Sequence, residues 1–253
     1  MVIFVKNNYE MIGLFKSTPT LINCIPTGYV DLHSHILPDI DDGAKTLDQT
    51  LQMLQFFKDL GVKRMCTTPH TSKYIWDNTS EIIQSKLKLV RETYSDLCEG
   101  LELTAASEYL IDDAFLDRVE RKELLCINDN MVLVEFSYYN APINMMQVFF
   151  EMQLQGYQPV LAHPERYTYL HQSLEVFEQI KKQGVILQMN LLSAVGYYGE
   201  RVTQAADALL KKGLIDITSS DVHHNQHIKA FDHKLKIKNQ TQFKEAIQRN
   251  GLL

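Results

Sequence analysis

What most constrains this chain is an alternation. Short runs rich in Val, Ile, Leu and Thr recur along it, each followed by a polar loop and then a longer segment with helical spacing. The runs that read as strands are 28–33, 62–67, 101–107, 131–136, 158–162, 185–189 and 214–219, seven in all. Between them the punctuation is that of helices. Thr46 followed by Gln49 forms a capping-box pattern opening a helix with apolar positions Leu47, Leu51, Leu54 and Phe57, which should stop before Gly61. Gly100, Gly156, Gly184 and Gly213 each sit between a helix-like and a strand-like segment, where the left-handed conformation that ends a helix costs glycine little. Pro142 suits the first turn of a helix running toward Gln155. Strict alternation of this kind predicts a parallel sheet covered by helices.

An open doubly wound sheet and a closed barrel share that pattern, and the placement of reactive residues decides between them. The first run leads into Asp31-Leu32-His33-Ser34-His35, in which His33 and His35 share a face because strand side chains alternate with period 2. The second run leads to His70, the third to Glu108, the fourth to Glu135 and the fifth to His163. The seventh leads to Asp221 and His223, again an i, i+2 pair. A parallel barrel gathers all such ends at one mouth, where that architecture places its active sites. A lone buried histidine is more often a satisfied core residue, and His-x-His is common by chance. Six strand ends carrying ligand-type residues are not a coincidence of that kind. Eight nitrogen and oxygen donors exceed what one ion takes, so two or three divalent ions bridged by a carboxylate are expected, and the donor types suit manganese, iron or zinc. His171, His224, His227 and His233 lie off the strand ends and read as surface or loop residues.

Length and composition set limits. A chain of 253 residues suits one barrel domain, here 28–253, preceded by an extension over 1–27 that shows no repeat unit and packs outside or moves freely. The net charge of −6, with signs interspersed, argues against a nucleic-acid partner. Cys24, Cys66, Cys98 and Cys126 are far apart and read as reduced thiols of a cytoplasmic protein. No run approaches the roughly 20 apolar residues of a membrane span, and no signal peptide is evident at the N-terminus.

The stretch Asp31-Leu-His-Ser-His-Ile-Leu-Pro-Asp-Ile-Asp-Asp-Gly43 resembles the start of the polymerase and histidinol phosphatase (PHP) superfamily, and within it the bacterial CpsB/YwqE-type tyrosine-protein phosphatases of capsule and exopolysaccharide systems. Thr68-Pro69-His70, Ser107-Glu108-Tyr109, the Glu135 strand, Ala162-His163-Pro164-Glu165-Arg166-Tyr167 and Ser220-Asp221-Val222-His223 follow in that family's order. The resemblance implies a distorted (β/α)7 TIM-like barrel of the PHP type, with His33, His35, His70, Glu108, Glu135, His163, Asp221 and His223 as metal ligands. It implies roles in substrate handling for Asp42 and Arg166, and a phosphotyrosine-containing protein, a bacterial tyrosine kinase, as the partner. The extension ahead of the first motif departs from the family and leaves the oligomeric state open.

The residues permit the corresponding chemistry. A metal-bound water has its pKa lowered toward neutrality, which supplies hydroxide near pH 7. Arg166, three residues beyond His163, is suited to clamp phosphate oxygens bidentately. Asp42 is the candidate acid for the leaving phenolate, with Asp41 as the near alternative; the bland reading of Asp-Gly is a plain turn. A cysteine mechanism needs Cys followed six positions later by Arg, and here those positions hold Val30, Ser72, Thr104 and Val132. Other readings keep the cluster and change its use: a small phosphoester such as histidinol phosphate as substrate, a nuclease, which the acidic charge opposes, or a metal-binding regulatory protein without catalysis.

Overall fold

The structure, a computed structural model, describes residues 18–252. Residues 1–17 of the expected extension lie outside the described residues. Among the described residues there are nine short strands: β1 Val30–Asp31, β2 Arg64–Thr67, β3 His70–Thr71, β4 Glu102–Ala105, β5 Glu108–Leu110, β6 Met131–Glu135, β7 Gln158–Ala162, β8 Ile186–Asn190 and β9 Ile217–Ser219. The helices are α1 Leu47–Asp59, α2 Ser80–Thr93, α3 Ser95–Cys98, α4 Phe115–Glu120, α5 Met145–Leu154, α6 Glu175–Lys182, α7 Glu200–Lys211, α8 Asn225–Ala230 and α9 Gln240–Arg249.

All ladders between strands are parallel, in the orders β1-β2-β4 and β3-β5-β6-β7-β8-β9. Seven runs were expected and nine strands are found among the described residues, because the second and third runs are each followed, after a short break, by a further strand, β3 and β5. Pro69 has no N–H to give to a ladder, and the break falls there. The chain stays in register across the gap: Thr68 N–H donates to Ser34 O (2.7 Å), and Glu108 N–H to Pro69 O (3.1 Å). The last run returns to the first. Asp221 N–H donates to His33 O (2.8 Å), His35 N–H to Val222 O (2.9 Å), and Ser34 and Val222 form a parallel bridge. The order of neighbours is therefore a distorted, barrel-like ring.

The strand period of two sorts the side chains. On β6, Val132 and Val134 join the large apolar layer shared with the helices, whereas Met131 and Leu133 join a small interior cluster with Val30, Leu32, Cys66, Val160 and Ala162. Glu135 continues the parity of Met131 and Leu133, so this interior is apolar at its base and becomes polar toward the C-terminal strand ends.

Local details follow the chemistry with some corrections. Thr46 caps α1 by accepting from Gln49 N–H, but Gln49 Oε1 reaches back to Lys45 N–H, one residue short of a reciprocal box. Leu51 is solvent-exposed, and the buried stripe is Thr50, Met53, Leu54 and Phe57. Pro142 stands ahead of α5, not in its first turn: Met145 N–H closes a separate turn onto Pro142 O (3.3 Å). Residues 19–22 are tied to the segment before α9. Leu21 and Ile22 N–H donate to His233 and Phe231 carbonyls, and the Leu21 side chain is fully buried.

Candidate metal centre

All ten residues singled out in the sequence meet at the C-terminal ends of the strands. At the middle is Glu108, fully buried at the start of β5. Its Oε2 lies 3.1 Å from His33 Nε2, 3.4 Å from His35 Nε2 and 3.2 Å from His70 Nδ1, and its Oε1 lies 2.8 Å from His163 Nε2. Asp221 Oδ1 stands 3.2, 3.4 and 3.4 Å from His33 Nε2, His35 Nε2 and His223 Nδ1. Glu135 Oε1 lies 2.9 Å from His70 Nδ1. Asp42 faces the cluster from above, 3.5 Å from His70 Nε2 and 3.4 Å from His223 Nε2.

Three groups of donor atoms lie within 4.8 Å of one another: His33, His35, Glu108 and Asp221; His70, Glu108 and Glu135; and His35, Asp42, His70 and His223. Two features show that the donors fit cations. His70 Nδ1 and Asp221 Oδ1 are buried and crowded by complementary atoms, yet neither makes a hydrogen bond. The outer nitrogens, by contrast, are anchored. His33 Nδ1 contacts Gln188 Oε1 (2.7 Å) and His35 Nδ1 contacts Asp41 Oδ2 (2.7 Å), an arrangement that turns each Nε2 toward the centre. Metal-bound imidazoles are oriented in this way. Nitrogen and oxygen donors without a thiolate suit manganese, iron or zinc.

The electrostatics agree. Burial alone would push His33 down, but Glu108 and Asp221 raise its pKa to about 10. Burial opposes the rise at His70 too, where Glu135 and Glu108 lift it to about 9. Despite burial, His33 and its neighbours hold Glu108 and Asp221 well below the carboxylate range. The same negative field that holds protons on these imidazoles attracts divalent cations. Asp31, just outside, is pushed up to about 7 by burial; its oxygens accept from Ser220 N–H (2.8 Å) and Oγ–H (2.7 Å), fixing the residue before Asp221. His163 and Asp221 both have positive φ, 34° and 50°, a costly conformation for residues with a Cβ and one that re-aims the chain at the strand ends.

Above the cluster opens a cavity of about 340 Å³ lined by Asp42, His70, Tyr138, Arg166, Tyr198 and His223, among others. Arg166 projects into it. Its guanidinium lies between Tyr138 and Tyr198, 4.8 and 4.2 Å from the ring centroids, and donates from Nη1 to Asp221 Oδ2 (2.9 Å). The neighbouring acids separate cleanly. Asp41 is buried against His35, whereas the Asp42 side chain is half exposed on the cavity; burial opposes, but His223 and His70 hold its carboxyl below the ordinary value.

Several contributors were not foreseen. His227 is a correction: read as a surface or loop residue, it is buried on α8, lines the cavity, and accepts from His223 N–H (3.2 Å). Burial lowers its pKa to about 3, so it stays neutral. His224 also lines the cavity. Tyr138, Tyr198, Gln188, Asn190 and Trp76, whose ring stacks on His70 at 4.9 Å between centroids, carried no charge to flag them, although Gln188 and Asn190 at the end of β8 repeat the i, i+2 spacing of the histidine and aspartate pairs.

The chain is similar to known proteins. The model of a family described as "Capsular polysaccharide synthesis, CpsB/CapC" matches residues 29–242. The chain is 29% identical to CapC of Staphylococcus aureus over 195 residues, 77% of this chain and 76% of that one. It is 27% identical to tyrosine-protein phosphatase YwqE of Bacillus subtilis strain 168 over 196 residues, 77% of each. Among solved structures, a chain from the crystal structures of YwqE from Bacillus subtilis and CpsB from Streptococcus pneumoniae, described as unique metal-dependent tyrosine phosphatases, superposes with a TM-score of 0.73 at 25% identity, covering 80% of this chain and 84% of that one.

Proposed function

Because the chain belongs to the CpsB/CapC family of capsular polysaccharide synthesis, we propose that it is a metal-dependent protein-tyrosine phosphatase. The observation that carries this reading is the convergence of imidazoles and carboxylates around Glu108, with His70 Nδ1 and Asp221 Oδ1 buried among opposite-charge atoms and making no hydrogen bond. In this reading His33, His35, His70, Glu108, Glu135, His163, Asp221 and His223 hold two or three divalent ions, manganese first, iron or zinc otherwise, as in a PHP-type centre. Such ions, when bound, polarise a phosphoryl oxygen and lower the pKa of water.

The chain's own groups do the rest. Arg166 binds the phosphoryl oxygens, and its two aromatic neighbours keep its plane fixed and exclude water from its faces. Asp42 lines the same cavity. Its carboxyl is ionised in the free cavity, so it serves as an acid only after a bound phosphoryl dianion has raised its proton affinity. Phenol, with a pKa of about 10, needs less of that help than an alkyl leaving group. The thiols offer no competing nucleophile: burial raises all four cysteines, Cys66 to about 12.

The partner in this reading is a phosphotyrosine-bearing protein, a tyrosine kinase of capsule or exopolysaccharide synthesis, met in the cytoplasm. Among the described residues no helix is long and apolar enough to cross a membrane. Exposed Tyr74, Ile75, Tyr139 and Ile143 in the loops after His70 and Glu135 suit a polypeptide better than a small phosphoester such as histidinol phosphate. Asp42 and Arg166 in the cavity argue against a metal-binding protein without catalysis. The test is hydrolysis of p-nitrophenyl phosphate and of a tyrosine-phosphorylated peptide with Mn²⁺. Activity should vanish with chelator and withstand thiol alkylation; the reverse pattern would overturn the reading.

A further inference from the structure

The sixth run of the ring ends without a metal-ligand type; it ends in amides. Asn190, the last residue of β8, is buried and uses each polar group of its side chain and backbone N–H. Its Oδ1 accepts from Leu192 N–H (2.8 Å), and its Nδ2 donates to Asp221 Oδ2 (2.7 Å) and to the Tyr198 hydroxyl (3.0 Å). Its own N–H donates to Glu165 Oε1 (2.9 Å), which also accepts from Ser193 Oγ–H (2.7 Å). Glu165 immediately precedes Arg166.

Arg166 completes the circuit from the other side. Its Nη1 donates to the same Asp221 Oδ2, and its guanidinium carbon stands 4.2 Å from the Tyr198 ring centroid. Asn190, Tyr198, Arg166 and Asp221 thus form a closed loop of contacts. A long, flexible side chain stacked on a ring is held only as firmly as the ring, and Asn190 is the hydrogen-bond partner of the Tyr198 hydroxyl. The other neighbour, Tyr138, is half exposed and contacts His163 Nε2 through its hydroxyl at 3.4 Å, so it gives a looser support.

We infer that Asn190 is a positioning residue. It locks Tyr198 and Asp221 so that the Arg166 guanidinium meets a bound phosphoryl group edge-on. The inference rests on the phosphatase reading for the identity of that ligand, and it is tested by binding rather than turnover.

The probe is inorganic phosphate titrated calorimetrically into the Mn²⁺-loaded full chain. Asn190→Ala, measured at saturating Mn²⁺ because Asn190 also contacts Asp221, should weaken phosphate binding about tenfold, the scale expected for losing hydrogen bonds that fix a charged group. Tyr198→Phe keeps the ring, the stacking surface and the Leu192 cap while removing one hydroxyl, and should weaken binding a few-fold. It also serves if Asn190→Ala fails to fold. Because both act through Arg166, each should have little further effect in an Arg166→Ala background. Unchanged phosphate affinity in Tyr198→Phe, or effects that add in full to Arg166→Ala, would overturn the inference. Failure of the phosphatase reading would show separately, as a wild-type protein that binds phosphate but hydrolyses neither aryl phosphate nor phosphopeptide.

Discussion

Replacing Asp41 by Asn separates the two adjacent acids, of which the sequence offers Asp42 as the catalytic candidate and Asp41 as its near alternative. Asp41 Oδ2 sits 2.7 Å from His35 Nδ1 and accepts from His70 N–H (3.1 Å), while Oδ1 accepts from Gly43 N–H (2.9 Å). An amide has one acceptor oxygen, so in Asp41→Asn an NH2 group must face one of these donors, and the charge that steadies His35 disappears. A hydrogen bond to a charged group contributes about 1.5–3 kcal/mol. At about 1.4 kcal/mol per tenfold, the expected loss in manganese affinity is about 10–100-fold, the range typical of groups that orient metal ligands. Calorimetric Mn²⁺ titration in competition with a chelator reads the affinity. Activity at saturating Mn²⁺ should recover to within a few-fold of wild type, because Asp41 does not line the cavity. An Asp41→Asn protein that binds manganese normally but stays inactive when saturated would refute the assignment, since Asp41 would then be acting on substrate.

Asp42→Asn should show the opposite pattern, with kcat reduced and most manganese retained; loss of an ion with unchanged turnover per bound ion would make Asp42 a ligand instead. Arg166→Ala should raise KM for phosphotyrosine at constant manganese content, and unchanged kinetics would remove Arg166 from the cavity's chemistry. Gly43→Ala places a Cβ 2.2 Å from His35 O and 2.5 Å from His35 Cβ, so the loop must move; lowered Tm and lost manganese are expected, and a protein indistinguishable from wild type would contradict that packing. Manganese uptake should release protons and weaken as pH falls. Burial disfavours the charged form of His33, yet Glu108 and Asp221 raise its pKa to about 10, so through neutrality an entering ion must displace that proton. Calorimetry in buffers of different ionisation enthalpy reads the release, and an enthalpy independent of buffer would count against it.

The alternation of strand and helix was legible because it depends on patterns spread over many residues. The breaks within it were not. Pro69 was visible, but that the chain would resume as β3 with His70 aligned to Glu108 depends on Ser34 and Pro69 accepting bonds from Thr68 and Glu108, far along the chain. Leu51 misled for a related reason: helical spacing fixes which residues share a face, while burial depends on where the neighbouring elements end. The ligand-type residues stood out because charge and imidazole at successive strand ends are improbable in an apolar core. His227 escaped because its burial is decided by α8 folding back over Asp221, where its Nδ1 receives the His223 N–H.

The groups that aim those residues have no such signature. Gln188, Asn190 and Tyr198 are ordinary types, and their importance is a matter of which atom each one faces. Yet the arrangement has a logic that the barrel itself imposes. Adjacent parallel strands place their inward residues side by side, so β8 lies between the strand leading to His163 and the one leading to Asp221. A ligand-type residue there would crowd a cluster already dense in charge. Neutral amides at the same positions donate to Asp221 and accept from His33, and so tie opposite sides of the centre together without adding charge. The strand end without a metal-ligand type thus holds its neighbours' ligands in position.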